Sequence, residues 1–296
     1  MRLVVTLVAA DPHDLVAAME AVEIGIARTG AQVGEPDLLG PNAADLPVES
    51  AFDGLIRERA EEAVAGRRVD VCIQPTLGRR KRLLIADMDS TIINVECLDE
   101  LADFAGVKAQ VSAITERAMA GELAFEGALR ERVAMLRGLG LDALQQCYDE
   151  RVQLNAGAAT LVRTMAAHGA RCVLVSGGFT FFTGRVATAA GFHDNRANTL
   201  IEDGAVLAGL VGEPILGREA KLTALQEEVA ALGATPADAL AVGDGANDLA
   251  MIEAAGLGVA YRAKPVVAAQ ANARVDHADL TALLYFQGYR REEFAG

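Results

Sequence analysis

Apolar and polar positions change rhythm several times along this chain, and the changes divide it. Leu3–Ala10 is a nearly unbroken apolar run that reads as a strand. Leu15, Met19, Val22 and Ile26 then recur at spacings of four, three and four, which lines one face of a helix that Gly30 closes. Ala31–Leu39 predicts another strand, Phe52–Ala65 a second amphipathic helix, and Val69–Gln74 a further strand. The Pro-, Gly- and Arg-rich stretch from Pro75 to Arg82 reads as a connection. Residues 1–75 are therefore expected to form a small α/β domain, with 76–82 as its linker.

A second domain, 83–296, opens with the short apolar strand Arg82–Ala86. Helical pattern dominates from Leu98 to about Leu154, so an all-helical insertion is expected at about 97–155. Beyond it, Arg171–Val175, Ala239–Val242 and Leu257–Ala260 are short apolar runs, each preceded by helical pattern. That alternation predicts β-α-β units and a Rossmann-like parallel sheet. Asn198–Ile201 and Ala205–Ala208 flank Glu202-Asp203-Gly204, a hairpin signal.

Composition narrows the partners. Hydrophobic residues make up 52% of the 296, yet Trp is absent and aromatics are 4%, so the core must be aliphatic. The formal charge of −14 argues against nucleic acid and anionic lipid. An anionic small-molecule substrate would need a few local cations or a metal. The four cysteines form no C-x-x-C pair and sit in or beside apolar segments, which suits free thiols in a reducing, cytoplasmic compartment. Leu3–Ala10 could pass for a signal-peptide core, but it reads better as a strand feeding a helix. No stretch is long enough to span a membrane.

Candidate chemistry gathers at strand ends. Asp87 and Asp89 follow the strand ending at Ala86, and two carboxylates at such a turn can converge on one point. They would repel unless one protonates or a divalent cation intervenes. With a cation, Asp87 can serve as nucleophile and Asp89 as general acid and base. The alternative is a solvated acidic turn. Gly243-Asp244-Gly245-Ala246-Asn247-Asp248 follows another apolar strand and offers oxygen donors suited to Mg²⁺. Ser176-Gly177-Gly178 ends a third strand and could cradle a phosphate, although a plain glycine turn reads as well. Lys221 begins a helix, where it is either a solvated lysine or the cation that an acidic site needs.

In this order, DxDST, SGG, K and GDGAND resemble the haloacid-dehalogenase superfamily of phosphotransferases. The resemblance implies Asp87 as nucleophile and Asp89 as its acid/base partner. It also implies Ser176 and Lys221 as phosphate ligands. Mg²⁺ would be held by Asp87, Asp89 and Asp244, with Asn247 and Asp248 in the same loop. The helical insertion sits where this superfamily places a cap.

Within that insertion Phe125, Leu129, Arg132 and Leu136 share one stripe, so Arg132 lies on an apolar face. It either pairs with a cap acid or meets a substrate carboxylate. Glu96 could receive an ammonium group, or simply favour a helix dipole. Together with Asp87 they would read phosphate, carboxylate and ammonium. Residues 83 to 290 also resemble the phosphoserine phosphatases of the superfamily, through Asn94, Glu96, the Ala118-to-Phe125 run and Leu129-Arg-Glu-Arg132-Val. Met88 and Ala128 stand where Phe and Ser are common. This resemblance implies Glu96 and Arg132 as amino-acid ligands, with Met119 and Phe125 closing over the substrate, and Gly177 and Asn247 beside it. The expected activity is Mg²⁺-dependent hydrolysis of O-phosphoserine, the last step of serine biosynthesis, through an aspartyl-phosphate. Phosphohomoserine or another small phosphomonoester is the alternative. Residues 1–75 weakly resemble an ACT-type fold, and homodimerisation or plain stability are equal readings of that unit.

Overall fold

The computed structural model describes residues 2–49, 53–119 and 122–296, with the side chains of residues 53, 118 and 119 outside that set. The first unit runs β1 (Arg2–Ala9), α1 (Pro12–Ala27), β2 (Gln32–Val33), β3 (Asp37–Gly40), β4 (Ala43–Glu49), α2 (Asp53–Val64) and β5 (Val69–Pro75). β1 lies between β4 and β5, antiparallel to both, and β4 carries β2 and β3 on its other side. This is a split β-α-β arrangement. Leu15, Val22 and Ile26 face the sheet, as the α1 spacing predicts, with Ala18 buried beside them and Met19 only half-buried. The stretch expected to be one strand, Ala31–Leu39, is two short ones, β2 and β3. β4 was not expected at all, because Asp45 and Pro47 argue against a strand. Asp45 is buried by an ion pair, and Pro47 sits exposed.

The rest of the chain is built on β6 (Leu83–Ala86). Four helices follow: α3 (Cys97–Phe104), α4 (Lys108–Met119), α5 (Phe125–Ala134) and α6 (Leu141–Arg151). Then come α7 (Ala158–Ala167), β7 (Arg171–Phe179), α8 (Thr180–Ala190), β8 (Asp194–Asn198), β9 (Leu200–Asp203), β10 (Val206–Val211) and α9 (Glu219–Ala231). The chain closes with β11 (Ala239–Gly243), α10 (Leu249–Ala254), β12 (Leu257–Tyr261), α11 (Pro265–Ala268), β13 (Ala273–Val275) and α12 (Ala282–Phe286). Six strands form one parallel sheet in the order β13-β12-β11-β6-β7-β8. The expected Rossmann-like sheet is present. Its strands are apolar throughout because both faces are covered. Leu84, Ala86, Leu174, Leu240 and Val242 point into one core; Leu83, Ile85, Val173, Ala239 and Ala241 point into the other. Asn198 belongs to the edge strand β8, not to the β9–β10 hairpin where sequence placed it.

The first unit is docked rather than tethered. Its helices cover Leu3, Val5 and Leu7, while Val8, Leu39, Ala43 and Cys72 join the main core. Gly40 has no room for a side chain, since a Cβ there would lie 2.4 Å from the Tyr285 hydroxyl. The expected linker is itself fastened. Arg79 donates to Asp45, Thr6 and the carbonyls of Tyr285 and Phe286, and Lys81 Nζ donates to Gly78 and Ala237 carbonyls.

The helical insertion leaves and re-enters the sheet domain through adjacent strands. Ile93 bridges Leu154, Asn94 and Gln153 exchange hydrogen bonds, and Asn155 Nδ2 donates to Thr91 and Ile93 carbonyls. The insertion is also stitched to the β9–β10 hairpin: Gly138 N–H donates to Leu207 O, Leu207 N–H to Leu139 O, and Leu141 N–H to Ala205 O. Among the described residues no helix is long and apolar enough to cross a membrane.

Candidate active site

Three neighbouring strands bring the site together. β11, β6 and β7 lie side by side and parallel, so Asp244, Asp87 and Ser176 emerge at one edge of the sheet. Sites form beyond the carboxyl ends of such strands because side chains there meet without sheet in between. The Asp87 N–H donates to Val242 O, which joins the first acidic turn to the second strand.

Asp87, Asp244 and Asp248 offer carboxylate oxygens that all lie within 4.8 Å of one another. Asp87 and Asp248 are buried. Lys221, 3% exposed, reaches from the first turns of α9 and places Nζ 2.5 Å from Asp87 Oδ1 and 2.5 Å from Asp248 Oδ1. Burial disfavours charge on Asp87, and repulsion from Asp248 adds to it, so its pKa stands well above the usual carboxylate range despite Lys221. Asp244 is raised for the same two reasons. Burial alone would lower Lys221, but Asp248 and Asp87 outweigh it and hold the ammonium above its ordinary value. Lys221 thus pairs with two of the three acids, and Lys264 acts on the third, Asp244. The donor set is all oxygen, compact and short of positive charge, which fits a hard divalent cation such as Mg²⁺.

Asp89 stands apart from that cluster. Its carboxylate accepts from the Cys97 N–H at 2.9 Å and the Ser176 hydroxyl at 3.0 Å. Burial raises its pKa, with the Cys97 and Ser176 hydrogen bonds opposing. Burial thus biases both Asp87 and Asp89 toward their protonated forms, and a cation among Asp87, Asp244 and Asp248 would favour the Asp87 carboxylate while leaving Asp89 the better acid. Asp248, expected only in support, belongs to the converging trio and accepts the Gly245 N–H. Asn247 is half-buried in the same turn and folds Oδ1 over Gly245.

The turn after Asp87 is strained. Ser90 adopts a φ of 55°, which a residue with a side chain seldom takes, and such outliers cluster at functional sites. The conformation lets Ser90 Oγ donate to Glu96 Oε1 at 2.7 Å. Sequence reasoning did not single out Ser90, because a positive φ leaves no trace in composition unless glycine marks it. Glu96 remains exposed, yet desolvation and the nearby Asp89 lift it to about 7.

Arg132 is half-buried on α5 and donates to the Ala128 carbonyl of its own helix. Among the described residues no carboxylate lies within ion-pairing distance of it. Burial lowers its pKa, while Asp99 and Glu96 oppose the shift from further away. The alternative of an internal ion pair with a cap acid is therefore not realised. Phe125, the first residue of α5, reaches the strand ends: its ring lies 3.3 Å from where a Cβ on Gly177 would sit and 3.6 Å from the same point on Gly217. Met119 ends α4, and its side chain lies outside the described residues.

A parallel sheet with two acidic turns, a serine-glycine loop and a buried lysine at one edge defines a class of phosphate-handling hydrolase. The haloacid dehalogenase-like hydrolase family matches residues 84–253 of this chain, and the chain belongs to that family. Its similarity to named proteins is narrower. The phosphoserine phosphatase of Polaromonas sp. is 46% identical over 208 residues, covering 69% of this chain and 88% of that protein. A HAD family hydrolase of Salmonella enterica serovar Typhi superposes with a TM-score of 0.83 at 28% identity, covering 97% of this chain and 98% of that one. A probable phosphoserine phosphatase of Vibrio cholerae superposes at 0.77 with 27% identity, over 97% and 86% of the two chains. Both solved structures therefore extend across residues 1–75 as well.

Proposed function

We propose that this chain is a Mg²⁺-dependent phosphoserine phosphatase working through an aspartyl-phosphate on Asp87. One observation carries the substrate: Arg132 is half-buried without a carboxylate partner among the described residues, yet near enough to Asp99 and Glu96 to be influenced by their charge. An unpaired, part-buried guanidinium is costly unless an anion meets it. A carboxylate on Arg132, an ammonium on Glu96 and a phosphate at Asp87 are the three charged groups of phosphoserine. The similarity to named phosphoserine phosphatases supports the same reading.

In this mechanism an Asp87 oxygen attacks phosphorus as the bond to the seryl oxygen breaks. Asp89, protonated, gives its proton to that oxygen and serine leaves. Asp89 then takes a proton from water, whose oxygen attacks phosphorus and frees the Asp87 carboxylate and phosphate. Lys221, Ser176 and the loop N–H groups hold the transferring oxygens. Asp87 and Asp244, with Asp89 or Asp248, would hold Mg²⁺, which when bound supplies charge neutralisation at the phosphoryl group. Phe125 and the cap helices exclude bulk water.

The division into a unit at 1–75, a connection at 76–82 and a phosphatase domain at 83–296 capped at about 97–155 belongs to the same proposal. The strand order of the first unit supports an ACT-like identity, and light scattering would decide whether it pairs two copies. Four buried, unpaired cysteines support a reducing, cytoplasmic setting. The test is phosphate release from L-phosphoserine, phosphohomoserine and p-nitrophenyl phosphate, with Mg²⁺ or EDTA, by wild type and D87N. Preference for phosphoserine, abolished by EDTA and by D87N, supports the proposal; preference for another ester overturns the substrate.

A further inference from the structure

β7 and β8 pair in parallel as far as Val175 opposite Arg196, and again at Phe179 opposite Asn198. The intervening Ser176-Gly177-Gly178 is longer than the matching stretch of β8, so it bulges out of the ladder. Backbone groups in a bulge lose their ladder partners, and buried ones must find others. The side chain of Asn198, 2% exposed, takes that place. Its Nδ2 donates to the Gly177 carbonyl at 2.9 Å and the Leu216 carbonyl at 3.3 Å, and its Oδ1 accepts the Leu216 N–H at 2.7 Å. Two carbonyls on one end and an N–H on the other fix which way the amide faces.

The Gly177–Gly178 peptide is thereby held on both edges. Its carbonyl meets Asn198, and its N–H donates to Ser176 Oγ at 2.8 Å. Ser176 Oγ donates in turn to Asp89 Oδ2 at 3.0 Å. The far end of Asn198 grips Leu216, next to Gly217 against which the Phe125 ring lies, and that segment leads into α9 and Lys221.

We propose that Asn198 is a positioning residue: its carboxamide fixes the Gly177–Gly178 peptide, and so the Ser176 hydroxyl and Gly178 N–H, against the segment that delivers Lys221. The proposal deepens, and rests on, the reading of this site as a phosphoryl-transfer centre. Two consecutive glycines have little conformational preference of their own, so an unbraced peptide can rotate its N–H away from Ser176 Oγ and free that hydroxyl to turn. Donors lower a barrier when they are held in place before charge develops. Asn198 touches neither Glu96 nor Arg132, so its loss should spare recognition of the amino-acid part.

The experiment compares wild type with N198A, N198D and T183V, with Mg²⁺ present, on phosphoserine and p-nitrophenyl phosphate. N198D keeps the shape and the Leu216 acceptor but turns an oxygen toward two carbonyls. T183V is the structural control: it removes the buried Thr183–Asn195 hydrogen bond from the same strand without touching the loop. N198A and N198D should lose at least ~10-fold in kcat with KM for phosphoserine within ~3-fold, the signature of a contribution made in the transition state. Inhibition by inorganic phosphate and by L-serine should change no more than KM does. T183V should keep its kcat. Full kcat in N198A and N198D, or an equal loss in T183V, overturns the proposal. Should the Asn198 variants fail to fold, amide exchange in wild type decides: slow exchange of Gly178 N–H supports the brace, and fast exchange overturns it. If wild type cleaves only p-nitrophenyl phosphate, the phosphoserine reading fails while Asn198 is still tested on that ester.

Discussion

Lys221 Nζ lies 2.5 Å from Asp87 Oδ1, and the same ammonium lies 2.5 Å from Asp248 Oδ1. The lysine thus joins two of the three clustered carboxylates, and on the proposed reading it also faces the phosphoryl oxygens. K221M should lower kcat by ~10²-fold or more, as expected for losing a charged oxygen-binding donor. Breaking the buried pair should also cost about 3–5 kcal/mol of stability. Mg²⁺ should restore more of the melting temperature in K221M than in wild type, because the uncompensated acids then gain their missing cation. Thermal melts in EDTA and in Mg²⁺ check this; equal Mg²⁺ responses would remove the lysine from the acidic cluster.

Arg132 separates recognition from chemistry. R132A should raise KM for phosphoserine by ~10²-fold, about the worth of one charge-assisted bidentate pair, while leaving p-nitrophenyl phosphate turnover within ~3-fold. R132K should recover only part of the loss, since an ammonium cannot present the guanidinium fork. Steady-state kinetics on both esters provide the measurement, and equal losses on both would assign Arg132 to the architecture of the cap.

Glu96 should give substrate binding a pH dependence centred near its value of about 7. Only the carboxylate pairs with an ammonium, so KM for phosphoserine should rise as pH falls below about 7 and level off above it, and E96Q should flatten that slope. The stability sign runs the opposite way. A carboxyl whose folded pKa exceeds its unfolded one stabilises the fold fully below the unfolded value of 4.5 and loses that contribution as pH rises through about 7. E96Q should therefore melt higher than wild type at pH 8 without substrate or metal, and no higher at pH 4.

The first unit should depend on Arg79 for its attachment. R79A removes the donor that joins Asp45 and Thr6 of the antiparallel sheet to the carbonyls of Tyr285 and Phe286, and leaves Asp45 buried and unpaired. A loss of about 3 kcal/mol or more is expected, largely recovered in the double variant R79M/D45N. Urea unfolding read by intrinsic tyrosine signal and by activity would show it, and additive single losses would mean the pair is not coupled.

Much of this could be read from the chain alone because it is local. Periodicity placed α1 and the apolar strands β6, β11 and β12 within a residue or two, since a strand covered on both faces must be apolar throughout. β4 was hidden because its polar member, Asp45, is buried by Arg79, thirty-odd residues away in sequence. β8 was hidden because its residues are polar and its decisive side chain, Asn198, bonds to backbone that only the fold brings near. The linker reads as a plain connection by composition, yet the fold turns its Arg79 and Lys81 into fasteners.

The sequence by itself determined the class of chemistry: acidic turns after apolar strands, in a fixed order, oblige a parallel sheet to present them at one edge. Tertiary structure decided how those groups divide the work. It set the Asp89 carboxylate against Cys97 and Ser176, drew Asp248 into the acidic trio beside Lys221, and left Arg132 without an acid in pairing distance among the described residues. Each outcome depends on distances between residues far apart in the chain. Burial then sets the charge each group prefers, and no spacing along the sequence encodes that.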